Sequence, residues 1–235
     1  MANSKEIIDA VSRAVKDNSF QKRDSDTFAQ IVTDAQDYIV DQLECLIKTD
    51  SSIDLVADTL EYDLPSDFIK FDIRTSNNPY GYVSIGDDGE VPLFPVNLSL
   101  LDTYEPNWRS TSAGTPKNFY LNGDGKIGIY PKPSSTFITA YGNTVRIRYV
   151  YRPSAMTYSI TSYPFGSDNV RLRGIQYLIK LHSIWQISLE DTDLDKSDRF
   201  DLMLEKRMEI AKDFINSNII IPSAVGFTPQ GLRIP

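Results

Sequence analysis

Hydrophobic positions along the chain change their spacing several times, and each spacing predicts a different element. Ile7, Ile8, Val11 and Val15 recur at helical intervals behind Asn3 or Ser4, either of which can cap a first short helix. A polar stretch over 17–24 breaks the pattern. Ser25 or Asp26 then caps a longer helix, in which Phe28, Ile31, Val32, Ala35, Ile39, Leu43, Leu46 and Ile47 make one broad apolar stripe. Thr49, Asp50, Ser51 and Ser52 end that helix.

Beyond this point the period falls to two. In 68–74 Ile69, Phe71 and Ile73 face one way, with Lys70, Asp72 and Arg74 toward water. Tyr82, Val83 and Ile85 predict another strand. Pro95 opens a short helical piece with Leu98, Leu101 and Tyr104 on one face, closed by Pro106. The segment 114–133 reads as a tight β-hairpin, with Phe119 and Leu121 alternating on the way in and Ile127 and Ile129 on the way out. Between them Asn122-Gly123-Asp124-Gly125 supplies two dipeptides that accept positive φ. A second alternating strand follows at 145–152, where Val145, Ile147, Tyr149 and Tyr151 oppose Arg146, Arg148 and Arg152.

The helical period returns after Pro164. Ser167 or Asp168 caps a helix carrying Leu172, Ile175, Leu178, Ile179, His182, Trp185 and Leu189 on one face. Leu181, Ile184 and Ile187 widen that surface, which implies contacts on more than one side. After a polar break at 191–198, a last helix carries Phe200, Leu204, Met208, Ala211 and Ile215. The prolines of 219–235 forbid helix there, and Val225, Phe227, Leu232 and Ile234 punctuate an extended arm. The pattern predicts an α+β protein, a helical bundle from N- and C-terminal helices (1–50 and 165–218) with an inserted antiparallel β domain (51–164) and an extended C-terminal arm (219–235).

Composition mostly narrows the chemistry. With 24 Lys and Arg against 32 Asp and Glu, the net charge of −8 disfavours wrapping nucleic acid, because phosphate contacts need clustered cations. No apolar run reaches the length of a membrane span, and the opening residues lack the plan of a signal peptide. The single Cys45, among Leu43, Leu46 and Ile47, reads as a small buried hydrophobe in a reducing compartment. Asp191, Asp193 and Asp195 imitate the start of a calcium loop, but Lys196 stands where glycine is needed and Leu202 where the bidentate Glu belongs. His182 is the only histidine, which excludes a paired-histidine metal site. Asp87, Asp88 and Glu90 sit in a Gly-rich loop and read as turn residues rather than an acid–base pair. No phosphate loop, dinucleotide fingerprint or nucleophile elbow is present, so neither a catalytic residue nor a cofactor is expected. The Arg146–Arg148–Arg152 face has three readings: a phosphate stripe with Tyr149 and Tyr151 for stacking, the wet face of a half-buried strand, or a cationic patch meeting acidic residues of a neighbouring subunit. The acidity of the whole chain favours the second and third.

Several pieces, in this order, resemble tailed-phage head-to-tail adaptor proteins, also called connector or head-completion proteins. They are Tyr62-Asp63-Leu64-Pro65-Ser66-Asp67-Phe68, Trp108, Gly114-Thr115-Pro116 with Phe119-Tyr120, Ile127-Gly128-Ile129-Tyr130-Pro131-Lys132-Pro133, and Arg148-Tyr149-Val150-Tyr151-Arg152-Pro153. The resemblance implies a structural virion protein without catalysis: a homo-oligomer, a dodecameric ring joining the portal protein to tail or nozzle proteins. DNA would pass through its channel without specific binding. It implies assembly in the host cytoplasm, a final place in the virion neck and no membrane partner. Pro222, Val225, Phe227, Pro229, Leu232 and Ile234 would then form a portal-docking arm, and Arg146, Arg148 and Arg152 a subunit interface. The alternative is a carbohydrate- or receptor-binding module, given the many Tyr and Trp residues of the insert; that reading expects exposed aromatics in one groove.

Overall fold

The structure, a computed structural model, describes residues 2–17, 19–72, 82–86, 91–166 and 169–218. In chain order the elements are α1 (Ser4–Ala14), α2 (Ser25–Leu43), β1 (Ile47–Asp54), β2 (Glu61–Asp63), β3 (Phe68–Phe71), β4 (Val83–Ile85), β5 (Val91–Pro92) and β6 (Phe94–Pro95). Then come α3 (Leu98–Tyr104), β7 (Asn118–Asn122), β8 (Lys126–Tyr130), α4 (Ser135–Tyr141), β9 (Thr144–Tyr151), α5 (Gln176–Glu190) and α6 (Leu194–Asn218). The protein is α+β, and its contacts divide it into two compact units. One comprises residues up to Ile39 with those from Ala155 onward, the other Val40–Ser154.

The first unit is helical over its described residues. Asn3 caps α1 in a capping box: its Oδ1 accepts the Glu6 N–H at 2.9 Å, and Glu6 Oε2 accepts the Asn3 N–H at 3.1 Å. The cap of α2 is Asp24, one residue before the sequence expectation, because its Oδ1 accepts the Thr27 N–H at 2.7 Å. Phe28, Val32, Ala35 and Ile39 are buried as their spacing predicts. Two polar residues are buried beside them with a clear reason. Thr33 Oγ1 accepts the Met156 N–H at 2.9 Å, and Gln36 Oε1 accepts the Phe165 N–H at 2.7 Å, so α2 satisfies backbone donors of the 155–166 segment. A 3₁₀ turn over Val170–Ile175 leads into α5; the proposed caps Ser167 and Asp168 lie outside the described residues. The helix α6 begins at Leu194, earlier than the polar break suggested, and buries Leu204, Met208, Ala211 and Ile215 against α5.

The second unit holds two sheets. In one, β9 is central: β1 pairs antiparallel along one edge, while β4 and β3 share the other. The sequence placed 47–52 at the end of a helix, yet α2 stops at Leu43 and Ile47–Asp54 is the strand β1. Its polar residues carry no strand signal; the β9 edge supplies the backbone partners that make it one. The other sheet has the order β2–β8–β7–β6, and here β6 runs parallel to β7. The strands of this unit are therefore mixed rather than purely antiparallel as expected, since the connection through α3 is long enough for a crossover. The expected hairpin forms as β7–β8, pairing Phe119 with Ile129 and Leu121 with Ile127, with Gly125 at φ 73° in its turn. Between β8 and β9 lies α4, a helix the sequence pattern did not suggest.

Both faces of the hairpin sheet are covered. Phe119, Ile127 and Ile129 join Val83, Ile85, Val145, Ile147 and Tyr149 in the main core. Tyr120 and Tyr130 pack on the other face with Trp108 and Leu101. Expected alternation fails at two places: Tyr120 is buried, because α3 and Trp108 roof its face, and Leu121 is exposed although it shares the face of Phe119. Phe68 and Phe71 both pack against the main core, which strict alternation forbids, because a bulge shifts register between Phe68 and Lys70. Cys45 is only half-buried.

Candidate functional site

The polar face of β9 is where the sequence concentrated its candidates. Alternation along the strand sends Val145, Ile147 and Tyr149 into the core and Arg146 and Arg148 to the opposite face. Arg152 lies just past the strand end, where its N–H donates to the Asp67 carbonyl at 2.7 Å. Arg148 donates through Nε to Asp72 Oδ2 at 2.8 Å, and Asp72 is 1% exposed. Asp72 was expected to face water. It is buried because a guanidinium compensates it, and a carboxylate without a partner would be costly there.

The neighbouring charges are matched in the same way. Lys48, on β1, sits 2.6 Å from Asp67 Oδ2, and the Tyr149 hydroxyl donates to Asp67 Oδ1 at 2.8 Å. The Lys48 ammonium also lies 5.3 Å from the ring centres of both Tyr149 and Tyr151. Partial burial works against the charge on Lys48, but its bonds to Asp67 and Tyr149 prevail, holding its pKa above the usual lysine range. Burial works to raise the pKa of Asp67, and the same partners outweigh it and lower it. Burial, with Asp67 adding to it, pushes the Tyr149 phenol up to about 12. Lys70 meets Asp41 at 3.1 Å and Glu44 at 3.0 Å. The cations Lys48, Lys70 and Arg148 are thus tied to carboxylates of their own chain. None of these ion pairs was read from the sequence; the only signal was the alternation of opposite charges around 67–72.

The remaining candidates fall in separate places. Asp191 receives Arg23 at 2.9 Å, beside Glu190 at 3.2 Å. Among the described residues no group of three or more His, Cys, Asp or Glu is placed to hold a metal. His182 is 6% exposed, its ring against Tyr38 and Trp185 with centroids at 4.4 and 5.2 Å. Burial pushes its pKa down to about 4 against the pull of the Asp34 carboxylate, so the imidazole is neutral at pH 7. Trp108, Tyr120 and Tyr130 are buried, with Trp108 donating to Asp102 at 2.8 Å and Tyr120 to Glu61 at 3.0 Å. Those rings form core, not the exposed groove that carbohydrate recognition expects. Pro222, Val225, Phe227, Pro229, Leu232 and Ile234 lie outside the described residues, as do Asp87, Asp88 and Glu90. No helix among the described residues is long and apolar enough to cross a membrane.

Comparison with known proteins gives one family. Residues 2–214 match the model described as SU10 adaptor protein. No curated protein matches the chain.

Proposed function

This chain belongs to the SU10 adaptor protein family, a family of phage structural adaptors, and from that premise we propose that it is a ring-forming head-to-tail adaptor. In this reading the helices of the two chain ends form a bundle that carries the β-rich segment as an insert. Copies associate into a dodecameric ring in the virion neck, joining the portal to tail or nozzle proteins and continuing the DNA channel. The action is assembly rather than reaction.

The observation that carries the proposal is the family match across 2–214. The charge pattern supports it. A channel wall must let DNA slide, and a net charge of −8 with Lys48, Lys70 and Arg148 neutralised internally offers little grip on phosphate. Of the three readings of the arginine face, the pairing of Arg148 with Asp72 favours a wet, self-compensated sheet surface.

The arm 219–235 is the proposed portal anchor. An extended apolar segment docks by adding backbone hydrogen bonds to a strand edge and seating alternate side chains, such as Leu232 and Ile234, in pockets. A chain ending at Ile221 is expected to melt like the full chain and to fail to decorate purified portal rings in negative-stain images. Full decoration by the truncated chain would move the anchor elsewhere.

A further inference from the structure

The helix α6 carries two apolar stripes, one buried within the first unit and one largely exposed. Leu204, Met208, Ala211 and Ile215 are buried, whereas Met203, Ile210 and Phe214 are 48%, 54% and 39% exposed. With Arg207, these last three stand at i, i+4, i+7 and i+11 and so form one continuous line. Met203 and Arg207 of that line wall a cleft of about 480 Å³ between α5 and α6, whose α5 wall includes Tyr177, Lys180 and Leu181. Apolar surface gathered this way on a soluble chain marks a contact site. Its two cations face no carboxylate of the cleft lining, and Arg207 lies 5.8 Å from the Tyr177 ring centre.

The complementary surface is present on the same unit. Within that unit the helix α2 contains Asp26, Asp34 and Asp37 and neither Lys nor Arg. Gln30, Asp34 and Tyr38 lie at i, i+4 and i+8 on its exposed side, with Tyr38 42% exposed. The two surfaces also flank α5 from different directions. Tyr38 of α2 touches His182, and at 3.6 residues per turn His182 lies roughly 130° around α5 from the cleft-lining positions Tyr177, Leu181 and Ile184.

We propose that the α5–α6 cleft of one copy receives the exposed, acidic face of α2 from a second copy. Two different surfaces that fit each other make a heterologous contact, which repeats head to tail and can close into a ring. A self-complementary patch would instead stop at a dimer. Met203 and Tyr177 supply the apolar contact, and Lys180 and Arg207 select the carboxylate-bearing partner face. This inference rests on the ring-forming reading and names the surfaces that would build the ring.

The test is native mass spectrometry and sedimentation velocity on full-length chains, with and without purified portal. Arg207→Glu and Met203→Glu are expected to raise the concentration for half-assembly at least tenfold while leaving circular dichroism and melting unchanged. Leu202→Glu, a change at the more exposed neighbour of Met203 on the adjacent face of α6, is expected to assemble normally. Asp34→Arg is expected to weaken assembly alone and to restore it when combined with Arg207→Glu. Rings that form at wild-type concentrations from both Met203→Glu and Arg207→Glu would overturn this interface while leaving the ring reading intact. Wild-type chains that remain monomeric even with portal would overturn both.

Discussion

The substitution Gly128→Ala should be far more damaging than its size suggests. Gly128 lies opposite Tyr120 in the β7–β8 ladder, and the phenol ring covers the glycine. A Cβ built there would stand 1.9 Å from Tyr120 Cζ and 2.3 and 2.4 Å from the two Cε atoms. Carbon atoms need about 3.5–4.0 Å, so the ring would have to retreat by roughly 1.5–2 Å. Its surroundings oppose that movement. Tyr120 is 1% exposed, packs edge to face on Trp108 at 5.2 Å and donates to Glu61 at 3.0 Å. Overpacking costs about 1–3 kcal/mol, a lost ring pair about 0.5–1.5, and a weakened bond to a carboxylate about 1.5–3. These losses overlap. Against them, alanine is favoured over glycine in a strand by about 0.5–1 kcal/mol. The expected net destabilisation is about 2–4 kcal/mol.

The measurement is urea unfolding in a Trp185→Phe background, where Trp108 is the remaining tryptophan of two and sits beside the perturbed ring. A second arm repeats Gly128→Ala with Tyr120→Val. Without the ring the added methyl has room, and the strand preference alone should leave the change neutral or stabilising by up to about 1 kcal/mol. The coupling in this double-mutant cycle is then about 3 kcal/mol. A Gly128→Ala cost below about 0.5 kcal/mol, or the same cost in both backgrounds, would refute the reasoning.

The Arg148–Asp72 pair gives a second expectation. Arg148→Met removes a counterion from a buried carboxylate and should cost about 1–3 kcal/mol, reduced from the fully buried case because the arginine side chain is 43% exposed. The double variant Arg148→Met with Asp72→Leu should recover part of that loss in the same urea melts, and recovery of none of it would mean the buried charge was not the cause. The third concerns pH. His182 has a folded-state pKa lowered to about 4, below its ordinary value of 6.5, so the unfolded chain takes up the proton first. Stability from this residue is full above pH 6.5 and falls as pH drops toward 4, by about 2–3 kcal/mol in all. Because the chain has one histidine, His182→Gln should flatten the slope between pH 6.5 and 5, and an unchanged slope would contradict the assignment.

Sequence alone determined the features whose cause is local. The β7–β8 hairpin follows from an alternating pattern around a turn that accepts positive φ, and the buried stripes of α1, α2 and α6 follow from spacing along one helix. The extent of β9 was legible for the same reason. Partner choice was not, because it joins residues far apart in the chain. Arg148 and Asp72 are separated by 76 positions and read alone as two surface charges; only their meeting makes one buried and the other its counterion. The strand β1 has a polar sequence and exists because β9 offers an edge whose backbone groups need partners. Gly128 looks like any strand glycine until Tyr120 is folded over it. Tyr120 is buried against its expected exposure because α3 covered a face that periodicity left open. Period and turn chemistry act within a few residues, whereas burial and charge pairing are decided only when distant segments close on one another.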